Sequence, residues 1–223
     1  MFDYMYILRS VDPNGNFELM VERPTLDERP KFRRLYVCFR ALKEPFKRYC
    51  RPPISLDGCF LKGSFQGEIL SAVDRDSNNQ IFPIAWAVVE VKNRDTWAYF
   101  LNNIQTDLDL DNGEKVTLIS DMQKGLLEEV PLCLPNVEHR SCARHMSKCD
   151  AVENNFSEAF IVAILGARFK SVISLFDDIR HYVMHKLVEH KRKSLNWKGA
   201  GSELVENGIS QEFHVPMLCV SYL

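Results

Sequence analysis

The chain has 223 residues, of which 46% are hydrophobic and 26% charged, and its formal net charge is −2. This composition is ordinary for a soluble globular protein, and the length is sufficient to bury a sizeable core. No apolar run approaches the length of a membrane span, and the start MFDYMYILRS has no basic segment ahead of a long apolar stretch, so neither a membrane span nor a secretory signal is expected.

The seven cysteines are an odd number. Without an export signal they are expected to be reduced thiols, which predicts an intracellular protein. The residues alone do not separate the cytoplasm from the nucleus.

The first distinctive stretch of the chain is basic. Between Arg29 and Arg51 there are nine Lys or Arg residues and a single acid, Glu44. Aromatic residues are interleaved with the cations: Phe32, Tyr36, Phe39, Phe46 and Tyr49. Two interpretations remain open, contacts with a nucleic-acid backbone or a solvated helix whose aromatic residues face the core. Residues 1–52 are therefore assigned to a basic N-terminal segment, and its candidate DNA contacts are Arg33, Arg34, Lys47 and Arg48.

Three strands are predicted after this segment. PPISLDGCFLKG predicts the first, GEILSAVDRD the second and IFPIAWAVVEV the third. The third stretch is nearly continuous in apolar residues, which is typical of a strand buried on both faces. Its Pro83 indicates a bulge or the start of the strand.

Strands and helices then alternate. NRDTWAYFLNNIQTDL has helical spacing, KVTLISDM predicts a fourth strand, QKGLLEEVPLCL a short helix closed by Pro131, and NVEHRSCARH a fifth strand. Two helices come next, NNFSEAFIVAILGARF and SVISLFDDIRHYVMHKLVEHKRK. The apolar face of the first long helix comprises Trp97, Phe100, Leu101, Ile104 and Leu108, and that of the last comprises Val172, Leu175, Phe176, Ile179, Val183 and Leu187. This order predicts an α/β fold with one mixed sheet flanked by helices.

Two of the predicted strands run into an acid. Asp57 comes after a short apolar run in the first strand, and Asp121 comes after the fourth. In the RNase H-like version of this order the first and fourth strands are parallel neighbours, which would bring the two carboxylates together. A third acid, Glu158 on a later helix, would complete a site of hard oxygen ligands suited to Mg²⁺ or Mn²⁺.

Each acid also has a structural explanation. Asp57 precedes a glycine, as in many hairpin turns, and Asp121 could be the N-cap of the next helix. Glu158 lies three residues after Asn155 and could complete a capping box. The combination of the three acids in this order favours the metal site over the separate explanations.

Several long stretches closely resemble the core of Mutator-like element (MULE) transposases, a family abundant in plant genomes. They are RLYVCFRALKEPFKRYCRPPISLDGCFLKG, AVDRDSNNQIFPIAWAVVEVKNRDTWAYFL, LISDMQKGL, HRSCARH and CDAVENNFSEAF. The resemblance runs from about Lys31 to Trp197. It implies an RNase H-like fold and an Asp, Asp, Glu triad, matched here by Asp57, Asp121 and Glu158, that binds two Mg²⁺ or Mn²⁺ ions. The Cys-x-x-His element of the family is matched by Cys142 and His145.

The chain also departs from that family. Only a short link joins His145 to Glu158, where the family usually has a long helical insertion, and Ile161 comes directly after SEAF where asparagine is usual. The resemblance therefore implies a core over residues 53–193, shortened between 145 and 155, and a truncated tail over 194–223. No N-terminal DNA-binding module and no zinc-binding SWIM element is found in the sequence.

These observations predict a transposase-derived DNA-processing domain that cleaves phosphodiesters and transfers strands, with its activity in question after the apparent deletion. The alternatives are a non-catalytic domesticated DNA-binding or regulatory protein and a decayed transposon fragment. DNA is the expected partner and the nucleus the expected location, with assembly of several copies left open and no membrane partner. Zinc is not expected on His139, Cys142, His145 and Cys149, because the last of these lies after the apparent deletion.

Overall fold

The structure is a computed structural model that describes residues 1–25, 27–49, 53–75, 81–121, 123–142 and 156–195. These residues contain seven strands: β1 (Asn16–Glu22), β2 (Lys31–Cys38), β3 (Ile54–Phe60), β4 (Glu68–Arg75), β5 (Ile81–Val89), β6 (Thr117–Ser120) and β7 (Glu138–Ser141). All seven form a single sheet in the order β1-β2-β5-β4-β3-β6-β7.

The helices lie before, between and after these strands. They are α1 (Phe2–Val11), α2 (Arg40–Tyr49), α3 (Arg94–Leu108), α4 (Lys124–Cys133), α5 (Phe156–Ala163) and α6 (Val172–Leu195), with a 3₁₀ turn at Ala167–Phe169. In this described part of the chain, none of the helices combines the length and the apolar character needed to cross a membrane.

The sheet is mixed, as predicted. Across the sheet, the neighbouring strands from β1 through β2, β5 and β4 to β3 are all antiparallel. The pairs β3–β6 and β6–β7 are parallel. The predicted first and fourth strands, which are β3 and β6, are therefore parallel neighbours. The α/β fold with flanking helices is confirmed.

The N-terminal segment contributes to this sheet. Strands β1 and β2 extend it beyond β5, so the described part of residues 1–52 belongs to the same sheet as the predicted core. Tyr36, Phe39 and Phe46 are buried in the core. For these three aromatic residues, the core-facing interpretation is confirmed.

The two long helices use the apolar faces that their sequences predict. On α3, all five predicted residues are buried, and the helix begins at a capping box formed by Asn93 and Thr96. On α6, Val172 is partly buried and the other five predicted residues are buried. Phe160 of α5 packs against Tyr182 of α6, with ring centroids 6.2 Å apart.

Two prolines differ in how well the sequence predicted their effect. Opposite Pro83, the register of β4 and β5 shifts: Val73 pairs with Pro83 and Ala72 with Ala85. The extra residue on β5 is a bulge, as predicted. The prediction that Pro131 closes its helix is wrong, because α4 continues through Pro131 to Cys133.

Candidate metal centre

The register of the two parallel strands brings Asp57 and Asp121 to the same end of the sheet. Leu56 pairs with Ser120 in the last pair of the β3–β6 ladder, and each aspartate is the next residue along the chain. Asp57 does not end β3, as the sequence had suggested, because the strand continues to Phe60 against β4. The hairpin-turn explanation of Asp57 is wrong for the same reason, since Asp57 and Gly58 pair within β3 and β4.

Asp57 is partly buried in β3. Its Oδ1 accepts a hydrogen bond of 2.7 Å from the backbone N–H of Gly58. Burial raises its pKa, the Gly58 hydrogen bond opposes this, and the negative charges of Asp121 and Glu158 raise the pKa further, while Lys92 lowers it. The net pKa of Asp57 is raised. Both other acids therefore lie close enough to act on Asp57 electrostatically.

The carboxylate of Asp121 has two polar contacts among the residues that the structure describes. Its Oδ2 lies 3.6 Å from Nζ of Lys92, and its Oδ1 accepts a hydrogen bond of 3.3 Å from the backbone N–H of Gln123. The N-cap of α4 is Gln123, whose side chain accepts a hydrogen bond from the backbone N–H of Leu126. The N-cap explanation of Asp121 is therefore wrong.

Glu158 lies in the first turn of α5, which packs on β3 and β4. The residue proposed to share a capping box with it, Asn155, lies outside the described residues. Asp57, Asp121 and Glu158, together called the acidic site below, offer the hard carboxylate oxygens that Mg²⁺ and Mn²⁺ prefer. Across the described ranges, no three His, Cys, Asp or Glu side chains are already gathered closely enough to hold a metal ion.

Sequence reasoning missed Lys92, which contacts the acidic site from the turn between β5 and α3. Its Nζ donates to the carbonyl oxygen of Gly58 at 3.4 Å, in addition to the contact with Asp121. Its backbone N–H donates to Glu68 Oε1 at 2.8 Å, and its carbonyl accepts from Gln123 Nε2 at 3.4 Å. A single lysine ahead of a helix N-cap carries no pattern from which this position could be predicted.

A second missed contact supports the end of β6. The hydroxyl of Ser120 is hydrogen-bonded to His139 Nε2 at 2.7 Å and to the carbonyl oxygen of Asp121 at 2.9 Å. Burial lowers the pKa of His139, which favours its neutral form. Cys142 is buried beside this contact, and its backbone N–H donates to the carbonyl oxygen of Ser120 at 2.7 Å. His145 and Cys149 lie outside the described residues, so the predicted absence of zinc stays a prediction.

The four candidate DNA contacts do not form one patch. Arg33 and Arg34 of β2 both bind Glu90, at 3.2 and 2.6 Å. Lys47 binds Asp109, the C-cap residue of α3, at 2.6 Å. The N-terminus of α3 lies just after Lys92, so Lys47 lies by the opposite end of a helix about 22 Å long. Of these cations, Arg33 is exposed and Arg34 is buried against Tyr99 and Asp95 of α3, so Arg33 is the one to consider beside the acidic site.

Comparison with known proteins supports the resemblance for part of the chain. Residues 53–149 match a family described as the MULE transposase domain. The matched stretch extends from β3 to beyond β7, so it includes Asp57, Asp121 and Cys142 and ends before Glu158. No curated protein matches the chain. This stretch is therefore similar to the domain of one class of DNA transposases, the MULE class.

Proposed function

We propose that the chain is a transposase-derived domain that cleaves DNA strands and transfers them at DNA ends. Its acidic site, Asp57, Asp121 and Glu158, would hold Mg²⁺ or Mn²⁺. The observation that carries the proposal is the register of β3 and β6, in which both aspartates come directly after the last paired residues. The similarity of residues 53–149 to the MULE transposase domain supports it independently.

The protein's own part in this chemistry would be to bring three like charges near one another. The parallel ladder holds the backbones of the two aspartates, and α5 brings Glu158 to the strands on which it packs. The pKa of Asp57 is raised chiefly by burial, and the negative charges of Asp121 and Glu158 add to the rise. A pair of divalent ions, when bound, supplies activation of a water or a 3′-hydroxyl and stabilisation of the leaving oxygen.

DNA contacts by the basic segment belong to the same proposal. Across the sheet, Leu35, Val88, Ile69 and Cys59 form one row of paired residues. On β2, Arg34 comes one residue before Leu35. On β3, Asp57 comes two residues before Cys59. Three strand spacings, about 14 Å, separate the two strands. The exposed Arg33 lies on the same face of the sheet as Leu35, Cys59 and Asp57, whereas Arg34 is buried against α3. A DNA backbone passing the acidic site could therefore reach Arg33, while Lys47 and Arg48 lie on α2.

A non-catalytic DNA-binding or regulatory domain is the second candidate. One observation favours it: the carboxylates already have partners within the protein, since Asp57 accepts from Gly58 and Asp121 faces Lys92. A domain that kept the fold without binding metal would keep these contacts. Nuclear location is expected for either candidate and is part of the proposal.

The deciding experiment is metal-dependent thermal stabilisation of the purified full chain. Because Mg²⁺ or Mn²⁺ would bind the folded state, it should raise the melting temperature increasingly as its concentration exceeds the dissociation constant. Asp57→Asn and Asp121→Asn should each abolish this gain, together with metal-dependent nicking of supercoiled DNA. Glu114→Gln removes an exposed acid outside the site and should leave the gain intact.

The outcomes separate the two candidates. Stabilisation by metal that disappears in both aspartate variants supports a catalytic site. DNA binding without any metal-dependent stabilisation of the wild-type chain would favour the non-catalytic candidate instead. A gain that persists in both aspartate variants would place metal binding elsewhere in the chain and overturn the proposed site.

A further inference from the structure

The side chain of Lys92 reaches the acidic site across β3. A Cβ atom added at Gly58 would lie 3.1 Å from Lys92 Cδ and 2.9 Å from Leu70 Cδ2, so the glycine leaves the room that the lysine stem uses. The side chain of Lys92 is only 17% exposed. Its ammonium lies 3.6 Å from Asp121 Oδ2 and 3.4 Å from the carbonyl oxygen of Gly58.

The backbone of Lys92 is fixed on both sides. Its N–H is bound by the carboxylate of Glu68, which is 4% exposed and lies on β4. Its carbonyl oxygen is bound by Gln123, whose own N–H donates to Asp121 Oδ1. The same short network thus joins the turn that carries Lys92 to the loop that carries Asp121, which positions the ammonium at the carboxylate.

We propose that Lys92 is the built-in counter-ion of the acidic site and that its ammonium and a divalent ion compete for the carboxylate of Asp121. The competition with a divalent ion rests on the proposed function, because that function supplies the ion. The counter-ion role of Lys92 does not depend on it. Lys92 would lower the repulsion among the three acids and, in the same way, lower the affinity of the site for metal. Lys92 acts through its charge on the three acids and is not itself proposed to touch a substrate.

The length of the contacts explains why this exchange is feasible. Hydrogen bonds between an ammonium and a carboxylate are usually about 2.7–2.9 Å long. The 3.6 Å between Lys92 and Asp121 indicates attraction without a tight bond, so the carboxylate can exchange one cation for another. A divalent ion brings twice the charge of the ammonium and binds carboxylate oxygens directly.

The competition is tested with Lys92→Met, which keeps the length of the stem and removes the charge. Manganese is titrated into the folded full chain at constant temperature, and the midpoint of binding is measured from the free Mn²⁺ that remains in solution. The midpoint should fall by roughly three-fold to tenfold in Lys92→Met, as expected when a partly buried cation no longer competes. A midpoint equal to that of the wild type, or higher, would overturn the competition.

Two variants control for the loss of charge itself. Lys124→Met removes an exposed lysine three residues after Asp121 that pairs with Glu128, 3.8 Å away. It should leave the manganese midpoint unchanged. Lys92→Arg keeps a positive charge at the same position and should keep the midpoint near that of the wild type. If the manganese midpoint fell equally in Lys92→Met and Lys124→Met, the loss of any nearby positive charge would explain the effect. That result would overturn the inference.

The counter-ion role is tested without any metal. In excess chelator, the stabilities of Lys92→Met, Asp121→Asn and the double variant form a thermodynamic cycle. Lys92→Met should destabilise the wild-type background more than the Asp121→Asn background. Equal effects in both backgrounds would overturn the role, whatever the metal titration gives.

The remaining outcomes are also assigned. Coupling in the cycle without manganese binding to wild type or Lys92→Met would leave the counter-ion role supported but overturn both the competition and the proposed metal site. A Lys92→Met chain with an unchanged manganese midpoint and weaker DNA binding would make Lys92 a phosphate contact, contrary to the inference.

Discussion

Two lysine–aspartate pairs in this protein resemble each other in composition and differ in how completely the carboxylate is satisfied. Asp107 of α3 is 5% exposed, and its Oδ1 lies 3.0 Å from Nζ of Lys43. Its Oδ2 accepts from the hydroxyl of Tyr36 at 2.9 Å and from Asn16 Nδ2 at 3.1 Å. Asp121 has Lys92 at 3.6 Å and the N–H of Gln123 at 3.3 Å, and its side chain is 19% exposed.

The difference indicates which of the two carboxylates is structural. A buried charge is tolerated when donors satisfy both of its oxygens, and Asp107 meets that condition with donors from β1, β2 and α2. It connects those elements to α3, and any further ligand would have to break these bonds. Within the described ranges, the contacts of the Asp121 carboxylate are longer and fewer, which leaves it able to accept another partner. Judged by burial alone, Asp107 would be the candidate functional acid. Judged by how fully donors satisfy the carboxylate oxygens, the candidate is Asp121.

The largest effect that separates the pairs is expected in stability. Asp107→Asn keeps the size of the side chain but leaves the ammonium of Lys43 buried without a counter-charge, which should cost about 3–5 kcal/mol. Asp121→Asn should cost less than about 1 kcal/mol, since its pair is partly exposed and the change relieves repulsion with Asp57. Urea unfolding of both variants in chelator measures this difference. Equal costs would contradict the distinction between the two acids.

Much of the acidic site could be predicted from strand order, whereas its partners could not. The succession of three strands and then alternating helices predicts a mixed sheet, and in the RNase H-like version of that order β3 and β6 are neighbours. The acids directly after Leu56 and Ser120 then predict the convergence. Lys92, Glu68 and Gln123 come together through tertiary contacts that leave no periodicity in the sequence. The same limit explains why β2 was not predicted, because Lys31 and Arg33 are exposed cations while every residue from Arg34 to Cys38 is buried. Because of these cations, the sequence did not predict β2 as a strand of the sheet.

A smaller effect is expected in the pH dependence of stability, through Asp57. The folded-state pKa of Asp57 is raised, chiefly by burial, above that in the unfolded chain. The protonated form is therefore favoured by folding, and this contribution is fully present below an unfolded pKa of about 3.9 and is lost as pH rises through the folded pKa. Asp57→Asn should accordingly become more stable relative to the wild type as pH rises from about 4 towards about 7, with the change confined to the range between these two pKa values.

The measurement is urea unfolding of both chains across that range in chelator, so that no cation interferes. Glu114→Gln serves as the matched loss of an exposed acid and should not change the slope. A difference between Asp57→Asn and wild type that stays constant with pH would mean that Asp57 is ionised as readily in the folded chain as in the unfolded one. That result would contradict the raised pKa of Asp57 and the partly buried surroundings that chiefly cause it.

The smallest effect is expected for DNA binding, and it tests whether the ion pairs of the basic segment mask its cations. Glu90 binds both Arg33 and Arg34, and although its burial opposes ionisation, these arginines lower its pKa to about 2. Glu90→Gln keeps the shape of the side chain and releases both guanidinium groups from a carboxylate. If a DNA backbone reaches this end of the sheet, affinity should rise by roughly two-fold to three-fold, and the slope of log K against log salt should steepen by up to about 0.9 for each phosphate gained.

Glu22→Gln, which removes only the 3.8 Å partner of Arg33, is the matched control and should change the slope less. Lys47→Gln combined with Arg48→Gln alters cations on α2, away from that end, and should leave the slope unchanged. If this pair flattens the slope while Glu90→Gln has no effect, DNA runs along α2, and the path from the acidic site to Arg33 is wrong.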